Sequence, residues 1–482
     1  IPFFLIFLIL IVTTLLFKLF TSYIALIIGA NVGIDLSNLL LRKVFSQNYL
    51  YFVKLDSNYL LRALVDKVSI STANITSFIV LLNAFITITV ILTTFIILYP
   101  LFTVITSIFI ISSYLIIIFL LKSKLDRNSK IQAVESVNVI KFIREAIGGV
   151  RNLILDNKQL FYINTYIENK KVLDISIAMN NFLGIFPKNL MESIGIVFLS
   201  TFAVFYAIYT NNLIAVLPVL AIVAIAAQKL LPLFQQLYFS YSQIAGNYYT
   251  NIEVAELLQL SESNILKAQN DKLSFEKFVE FKNVGFAYDE KRPIIKDLNL
   301  KIPFGKKIGI VGDTGSGKTT FMDLFIGLLS PNEGEIFIDK NKLSKTNIYK
   351  WQNTLTHIPQ NIFITNRSIY ENVAFGEKKE DINYEKVQDS IKIAQLETFV
   401  NNLPNKYETD LGERGIKISG GEKQRIGIAR AIYKEFQVLT MDESTSSLDN
   451  VTELNLMKEI DFFRKNITII IIAHRLTTIK NC

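Results

Sequence analysis

The chain has 482 residues, of which 51% are hydrophobic, and it carries a formal net charge of +8 and one cysteine. This length exceeds a single hydrophobic core, and the apolar content is too high for an ordinary soluble protein. The one cysteine, Cys482, excludes an internal disulfide and a cysteine metal cluster. Because the basic residues lie between apolar segments, where membrane orientation accounts for them, we expect no nucleic-acid partner.

The first half of the chain contains five stretches that are long and apolar enough to cross a hydrocarbon core of about 30 Å. These predicted spans are residues 1–28, 70–98, 101–121, 191–209 and 213–234. Basic residues fill the two long loops between the spans, so the positive-inside rule places both loops and the C-terminal half in the cytoplasm. An odd number of spans then leaves Ile1 outside, and we expect that a first helix is missing through an N-terminal truncation.

The two long loops have apolar residues at helical spacing with charges between them, over residues 35–45 and 134–147. This pattern predicts that the membrane helices continue into the cytoplasm and end in short turns near residues 48–56 and 148–156. The alternative is a pair of independent amphipathic helices that lie on the membrane surface.

A polar stretch over residues 261–274 predicts a domain boundary, which divides the chain into residues 1–262 and 263–482. The second part has charges throughout and reads as an α/β domain. Its strands are predicted at residues 279–284, 299–302, 307–311 and 436–441.

A glycine-rich loop lies between the strand at 307–311 and a helix that follows it. Its residues are Gly312, Asp313, Thr314, Gly315, Ser316, Gly317, Lys318 and Thr319, with Thr320 next. In this context backbone N–H groups converge on phosphate oxygens at a helix N-terminus. Lys318 supplies a positive charge for the β- and γ-phosphates, and the Thr319 hydroxyl can bind magnesium. The pattern is that of a P-loop and predicts a site for a nucleotide with Mg²⁺.

Two carboxylates and one aromatic residue are candidates for the same site. The strand at 436–441 ends in Asp442, the predicted magnesium-side group, and Glu443, the predicted general base for an attacking water. Tyr288 precedes the P-loop and can stack on adenine, although a tyrosine packed in the core fits the spacing equally well.

A second glycine-rich segment, Ser419, Gly420 and Gly421, stands before a predicted helix over residues 426–434. A hydroxyl and exposed N–H groups at a helix N-terminus make a second phosphate cradle. One nucleotide does not need two cradles on one subunit. If the second cradle serves the nucleotide of a facing copy, complete sites form only when two subunits meet.

Together these motifs resemble the ATP-binding cassette (ABC) transporters, specifically the half-transporter exporters with an N-terminal membrane domain. The resemblance implies an all-α polytopic membrane domain, with its first helix missing, followed by an α/β P-loop domain that binds ATP and Mg²⁺. The P-loop is then the Walker A motif, Asp442 and Glu443 belong to Walker B, and Tyr288 is the aromatic residue that stacks on adenine. The segment 419–421 is the signature.

The resemblance adds residues that spacing alone does not identify. Gln360 is similar to the Q-loop glutamine, which in the family contacts magnesium, and His474 to the switch histidine, which holds the γ-phosphate. Residues 409–415 resemble the exporter loop that meets the cytoplasmic helices, and residues 446–449 resemble the D-loop. Two departures stand out: Glu422 replaces the usual glutamine of the signature, and the chain ends soon after His474, which implies a C-terminal truncation.

The resemblance implies that two copies of the chain, or the chain and a paralogous half-transporter, close on two ATP molecules. Hydrolysis then drives export from the cytoplasmic side of a bacterial plasma (inner) membrane, with the ATP-binding domain in the cytoplasm. The last span, with Lys229 followed by residues 230–232, Gln235 and Gln236, resembles flippases of lipid-linked oligosaccharides. It predicts a lipid-linked or amphipathic substrate. Drug or peptide export and a non-transporting ATPase that gates or regulates are the alternatives.

Lys229 lies well inside the last predicted span, where an unpaired cation is costly. It either faces a cavity or a partner, or extends toward the cytoplasmic surface, and the sequence leaves both open. Our hypothesis is that Lys229 contacts an anionic part of the transported molecule.

Overall fold

A computed structural model describes residues 2–55, 57–98, 100–210, 213–262, 271–289, 292–444, 449–463 and 466–473. The contacts divide the chain into two units, one formed by Ile1–Gln47 with Phe52–Ser263 and the other by Asn48–Tyr51 with Asn264–Cys482. Residues 263–270, where the sequence predicts the start of the second domain, lie outside the described residues.

Helices make up most of the described residues up to Leu258, all of which belong to the first unit except Asn48–Tyr51. They are α1 (Pro2–Phe45), α2 (Tyr49–Lys54), α3 (Ser57–Arg62), α4 (Val68–Leu98), α5 (Pro100–Gly148), α6 (Val150–Leu155), α7 (Gln159–Thr210), α8 (Leu213–Gly246) and α9 (Tyr248–Leu258), with a π-helical turn at Ala63–Lys67. The short helices α2 and α6 occupy the two positions where the sequence predicts turns.

The long helices extend well beyond a bilayer. α1 has 44 residues and α5 has 49, which at 1.5 Å per residue gives about 66 and 74 Å, more than twice the hydrocarbon core. The helices therefore run through residues 35–45 and 134–147 without a break, as predicted, and the location of these segments in the cytoplasm stays a prediction. The alternative of separate surface helices is wrong, because each segment continues the preceding span without a break.

Three helices in the described part of the chain are long and apolar enough to cross a membrane: Phe4–Phe45, Tyr59–Ile97 and Thr103–Gly148. The other two predicted spans, residues 191–209 and 213–234, fall within α7 and α8, where the structure describes the backbone but only some of the side chains. These apolar helices are those of an integral membrane protein.

Small residues let α1 and α4 approach closely. A Cβ atom on Gly29 would lie 2.3 Å from Oγ1 of Thr76, and one on Gly33 would lie 2.8 Å from Oγ1 of Thr72. Two glycines four residues apart lie on one face of a helix, which is the pattern that brings membrane helices together.

The second unit contains two four-stranded sheets. The strands are β1 (Phe278–Ala287), β2 (Pro293–Pro303), β3 (Lys307–Ile310), β4 (Glu333–Ile338), β5 (Asn341–Lys342), β6 (Leu355–Ile358), β7 (Val438–Asp442) and β8 (Thr468–Ile472). The antiparallel sheet has the order β2-β1-β4-β5, and the parallel sheet has the order β3-β8-β7-β6. Parallel strands bring their carboxyl ends to one edge, which is where α/β proteins bind ligands.

Helices join these strands and cover the parallel sheet. They are α10 (Lys318–Phe325), α11 (Ile348–Thr354), α12 (Ile369–Val373), α13 (Tyr384–Ile393), α14 (Glu397–Asn401), α15 (Gly420–Tyr433) and α16 (Asn450–Phe463). The fully buried Trp351 donates an indole N–H to the carbonyl of Phe325 at 2.7 Å and packs edge-on against the Phe325 and Phe275 rings. It is the chain's single tryptophan.

Each of the four predicted strands is present, but β1 and β2 are longer than the sequence indicates. The pairing of β1 with β2 shifts register between Phe281 and Val284. Asn283 and Asp297 have positive φ angles of 49° and 44° at this irregularity. Such a bulge interrupts the alternation of apolar and polar residues on which a strand prediction depends.

Candidate nucleotide site

The P-loop connects β3 to α10 at the carboxyl edge of the parallel sheet. Gly315 and Gly317 have φ angles of +82° and +88°, a left-handed conformation that favours glycine. A Cβ atom on Gly317 would also lie 3.0 Å from Cγ2 of Ile294. Helix α10 begins at Lys318, two residues earlier than the sequence suggests, so Lys318 and Thr319 belong to its first turn. The N–H groups of that turn have no partner within the helix.

The lysine of the loop folds back over it. Nζ of Lys318 donates to the carbonyl oxygens of Gly312 and Asp313 at 2.8 and 2.9 Å. Thr319 is exposed, so its hydroxyl is available to a ligand, whereas Thr320 is 7% exposed and its side chain packs inward. The contact of Thr320 with a nucleotide stays a prediction.

The predicted Walker B residues lie at the end of the central strand β7, which pairs with β6 and β8. Asp442 is its last residue and is 7% exposed. Glu443 follows with a φ of 46°, and its N–H donates to the carbonyl of Ile472 at 2.9 Å. The amide of Gln360 donates to Oε2 of Glu443 at 2.7 Å. The structure therefore brings together Gln360 and Glu443, which the sequence connects only through the resemblance.

Asp323 on α10 is a site residue that the sequence analysis missed. Burial, together with the negative charge of Asp442, raises the pKa of Asp323 to about 6. Two carboxylates this close form a region of negative charge that favours a cation. The spacing in the sequence could have identified Asp323 as a site residue. It lies four residues after Thr319, so the two side chains are on the same face of α10.

The signature segment forms the N-terminus of α15, which begins at Gly420 rather than at residue 426. Ser419 is its N-cap, and the Ser419 and Glu422 pair forms a reciprocal capping box. Ser419 and Gly420 are exposed and Gly421 is partly so. In the part of the chain that the structure describes, the side-chain hydrogen bonds of Ser419 and Glu422 stay within the signature itself.

Tyr288 follows β1 directly and is half-buried. Its ring meets the buried Phe286 ring edge-on, with 5.0 Å between centroids and 88° between planes. One side of the tyrosine thus packs on the core, while the rest of the ring is accessible. Stacking on adenine remains a prediction.

Two predictions fall outside the described residues: the switch histidine, His474, and most of the D-loop, residues 446–448. Among the residues that are described, no group of three or more His, Cys, Asp or Glu side chains is placed to hold a metal ion. Magnesium in nucleotide sites is commonly bound by one or two protein groups together with phosphate oxygens. Asp442 and Thr319 fit that kind of site.

The comparisons with known proteins agree with this geometry. A family described as ABC transporter matches residues 295–446. The ATP-dependent lipid A-core flippase of Cupriavidus pinatubonensis is 36% identical over 203 residues, which is 42% of this chain and 34% of that protein. The flippase of the same name from Desulfotalea psychrophila is 38% identical over 207 residues, covering 43% and 36%. The matched stretch thus spans about a third of the length of these relatives.

Among solved structures, a bacterial Atm1-family ABC exporter with ATP bound is similar at a TM-score of 0.82 and 21% identity. The similarity covers 94% of this chain and 80% of the other. At 21% identity the match is evidence of the fold alone. The matched residues include the helical unit as well as the α/β unit. Residues 295–446 therefore match the ABC transporter family, and the chain has the fold of an ABC exporter.

Proposed function

We propose that the chain is one half of an ATP-driven exporter or flippase, which works as a dimer of two copies and moves an amphipathic molecule from the cytoplasmic side. The hydrogen bond between Gln360 and Glu443 at the end of β7 is the observation that carries the proposal, because it orients a carboxylate at the carboxyl edge of the sheet that also carries the P-loop. Nucleotide binding alone does not require a general base, whereas hydrolysis does.

Within this proposal the P-loop N–H groups and Lys318 bind the β- and γ-phosphates. Thr319 and Asp442 hold magnesium, which when bound draws negative charge from the phosphate oxygens. Glu443 accepts a proton from the attacking water, and Gln360 keeps its carboxylate in place. His474 is assigned to the γ-phosphate through the family resemblance.

The dimer follows from the second cradle. Ser419, Gly420 and Gly421 present a solvent-facing helix N-terminus, which suits the γ-phosphate of a nucleotide held by another subunit. A second copy of this chain supplies the simplest partner, and a paralogous half-transporter would present the same motifs. Either way, the complete hydrolytic site contains residues of two chains.

The proposed cargo is a lipid-linked or otherwise amphipathic molecule with an anionic group, carried in a bacterial inner membrane. Two observations support it. The relatives above are named as lipid A-core flippases. In addition, Lys229 and Gln236 are both exposed and lie seven residues apart on α8, so they share one face of the helix. A polar face on a membrane helix needs water, a partner or a polar ligand.

The test is phosphate release by the full-length protein in liposomes, with separate additions of lipid-linked oligosaccharides, other anionic lipids, neutral lipids and drugs. We expect ATP hydrolysis that Lys318→Ala abolishes and that an anionic amphiphile stimulates in the native protein but less in Lys229→Gln. Stimulation by neutral drugs alone would instead favour drug export. If no compound stimulated hydrolysis and no labelled lipid moved, the result would contradict the proposal that the chain is half of a transporter.

A further inference from the structure

The first turn of α15 contains a carboxylate, that of Glu422, which accepts a hydrogen bond from the N-terminal end of the same helix. The N–H of Ser419 donates to Oε2 of Glu422 at 2.7 Å, and the N–H of Glu422 donates to Oγ of Ser419 at 3.3 Å. α15 has 14 residues, so its N-terminus carries the partial positive charge of a well-formed helix. The Glu422 carboxylate therefore accepts the N–H of Ser419 and lies in the field of the helix end, while the Ser419 hydroxyl oxygen accepts the backbone N–H of Glu422.

We propose that Glu422 is an internal competitor for the γ-phosphate of the facing subunit's ATP, and that it sets the ATP concentration at which two subunits close. The proposal rests on the function given above, in which Ser419 and Gly421 bind that phosphate. A phosphate that reaches the cradle meets a carboxylate already bound there. Two anions at one helix N-terminus repel each other, so closure requires that Glu422 release Ser419 and turn toward solvent.

The surroundings of Glu422 leave its charge uncompensated by a neighbouring cation. Within the described ranges no lysine or arginine forms an ion pair with Glu422, and the nearby Arg425 donates to the carbonyl of Gln395 at 2.9 Å. Glu422 is itself partly exposed, so its side chain has room to leave the helix end. A glutamine at this position keeps the shape and an acceptor oxygen for the cap but removes the repulsion.

The domain contains a matched control for the capping role. α12 also begins with a capping box, in which Ser368 and Glu371 exchange the same two hydrogen bonds at 3.3 Å each. This second box has no glycine pair after its serine. Glu371 also lies 3.5 Å from Arg367 in a surface ion pair, so Glu371→Gln removes a capping charge and that pair without touching the signature.

The experiment compares the native protein, Glu422→Gln and Glu371→Gln in liposomes, with phosphate release measured against ATP concentration. We expect Glu422→Gln to lower KM for ATP by about tenfold, with kcat changed less than about twofold, because repulsion acts on closure. The difference should shrink between 50 and 500 mM salt, since screening weakens repulsion between exposed charges. Glu371→Gln should leave KM unchanged at both salt concentrations.

A second measurement follows closure without hydrolysis. In a Glu443→Gln background, the ATP concentration at which two subunits crosslink should fall about tenfold on adding Glu422→Gln. Equal KM values for native and Glu422→Gln proteins that both hydrolyse ATP would overturn this inference alone. A native protein whose phosphate release does not depend on Lys318 would overturn the proposed function instead.

Discussion

The side-chain amide of Gln360 donates a 2.7 Å hydrogen bond to the carboxylate of Glu443. Gln360 follows β6 by two residues and Glu443 follows β7 directly, and these strands pair in parallel, with Ile358 opposite Met441. On the other side, the N–H of Glu443 is bonded to Ile472, the last residue of β8. Both neighbouring strands therefore hold the candidate base, including its left-handed backbone.

The first prediction concerns Glu443 itself. Glu443→Gln keeps a side chain that can bond to Gln360 but cannot accept the proton of an attacking water. We expect ATP binding to persist and phosphate release to fall by about 10²–10⁴-fold, the usual contribution of a general base. Single-turnover phosphate release and binding of a fluorescent ATP analogue measure the two quantities. Hydrolysis within a factor of two of the native rate would refute the assignment.

The second prediction concerns the residue that positions the base. Gln360→Ala removes the 2.7 Å bond but leaves Glu443 as a carboxylate, so we expect kcat to fall by about tenfold while nucleotide affinity stays within twofold. Gln360→Glu should have a lower kcat than Gln360→Ala, because it places a second carboxylate at hydrogen-bonding distance from that of Glu443. A kcat of Gln360→Ala equal to that of the native protein would show that the bond has no part in hydrolysis.

The P-loop and the signature were predictable because each depends on residues at fixed spacing within one short segment. The Gln360–Glu443 bond was not, since it joins residues 83 positions apart through the pairing of β6 with β7. Asp323 was missed for the same reason: only the fold shows that Asp442 lies near it. Local motifs are encoded locally, whereas contacts between strand ends depend on topology.

The part of α7 that precedes the predicted span at 191–209 was also missed. The sequence marks residues 122–188 as a loop, with a helix only at 134–147, yet α7 runs from Gln159 through Pro187 to Thr210. Proline removes one helical hydrogen bond and is usually a sign that a helix ends. Within packed membrane helices, neighbouring groups satisfy the backbone that proline leaves free, so the helix continues.

The third prediction tests the left-handed turn of the P-loop. Gly317→Ala forces a Cβ into a φ of +88° and to 3.0 Å from Cγ2 of Ile294, so we expect the loop to deform and ATP affinity to fall about tenfold or more. The matched control is Gly305→Ala, at a φ of +71° with no atom within 4 Å of the added Cβ. It should cost about 1 kcal/mol of stability and leave the affinity for a fluorescent ATP analogue unchanged.

The fourth prediction concerns a buried charge in the helical unit. The side chain of Lys67 is 0% exposed, lies 2.7 Å from Oε2 of Glu253 and stands 4.0 Å above the Tyr59 ring. Glu253→Gln removes its counter-charge, so we expect a loss of about 3 kcal/mol and a lower unfolding temperature by circular dichroism in detergent. The control is Asp174→Asn, which breaks an exposed 2.6 Å pair with Lys170 and should change stability by less than about 0.5 kcal/mol. Equal changes in the unfolding temperature of both variants would contradict the interpretation that burial makes the Lys67–Glu253 pair important for stability.

The last prediction is a pH dependence in the ATP-binding domain. Nδ1 of His357 on β6 lies 2.9 Å from Oγ1 of Thr440, and burial lowers the pKa of His357 to about 4. The unfolded chain takes up this proton near pH 6.5 and the folded chain only near pH 4, so this part of the stability is present above pH 6.5 and is lost as pH falls toward 4. With allowance for the partial exposure of the ring, the loss is roughly 2 kcal/mol.

The chain's single tryptophan makes this loss measurable, because Trp351 is fully buried in the same domain and its fluorescence reports unfolding there. Thermal unfolding of the native protein and of His357→Gln should be compared between pH 7 and pH 4.5. We expect the native unfolding temperature to fall more steeply, because the variant has no proton to take up at this position. Other groups titrate in the same range, and they contribute equally to both proteins. If the unfolding temperatures of the two proteins fell in parallel with pH, the His357 ring would be hydrated enough to titrate as it does in the unfolded chain.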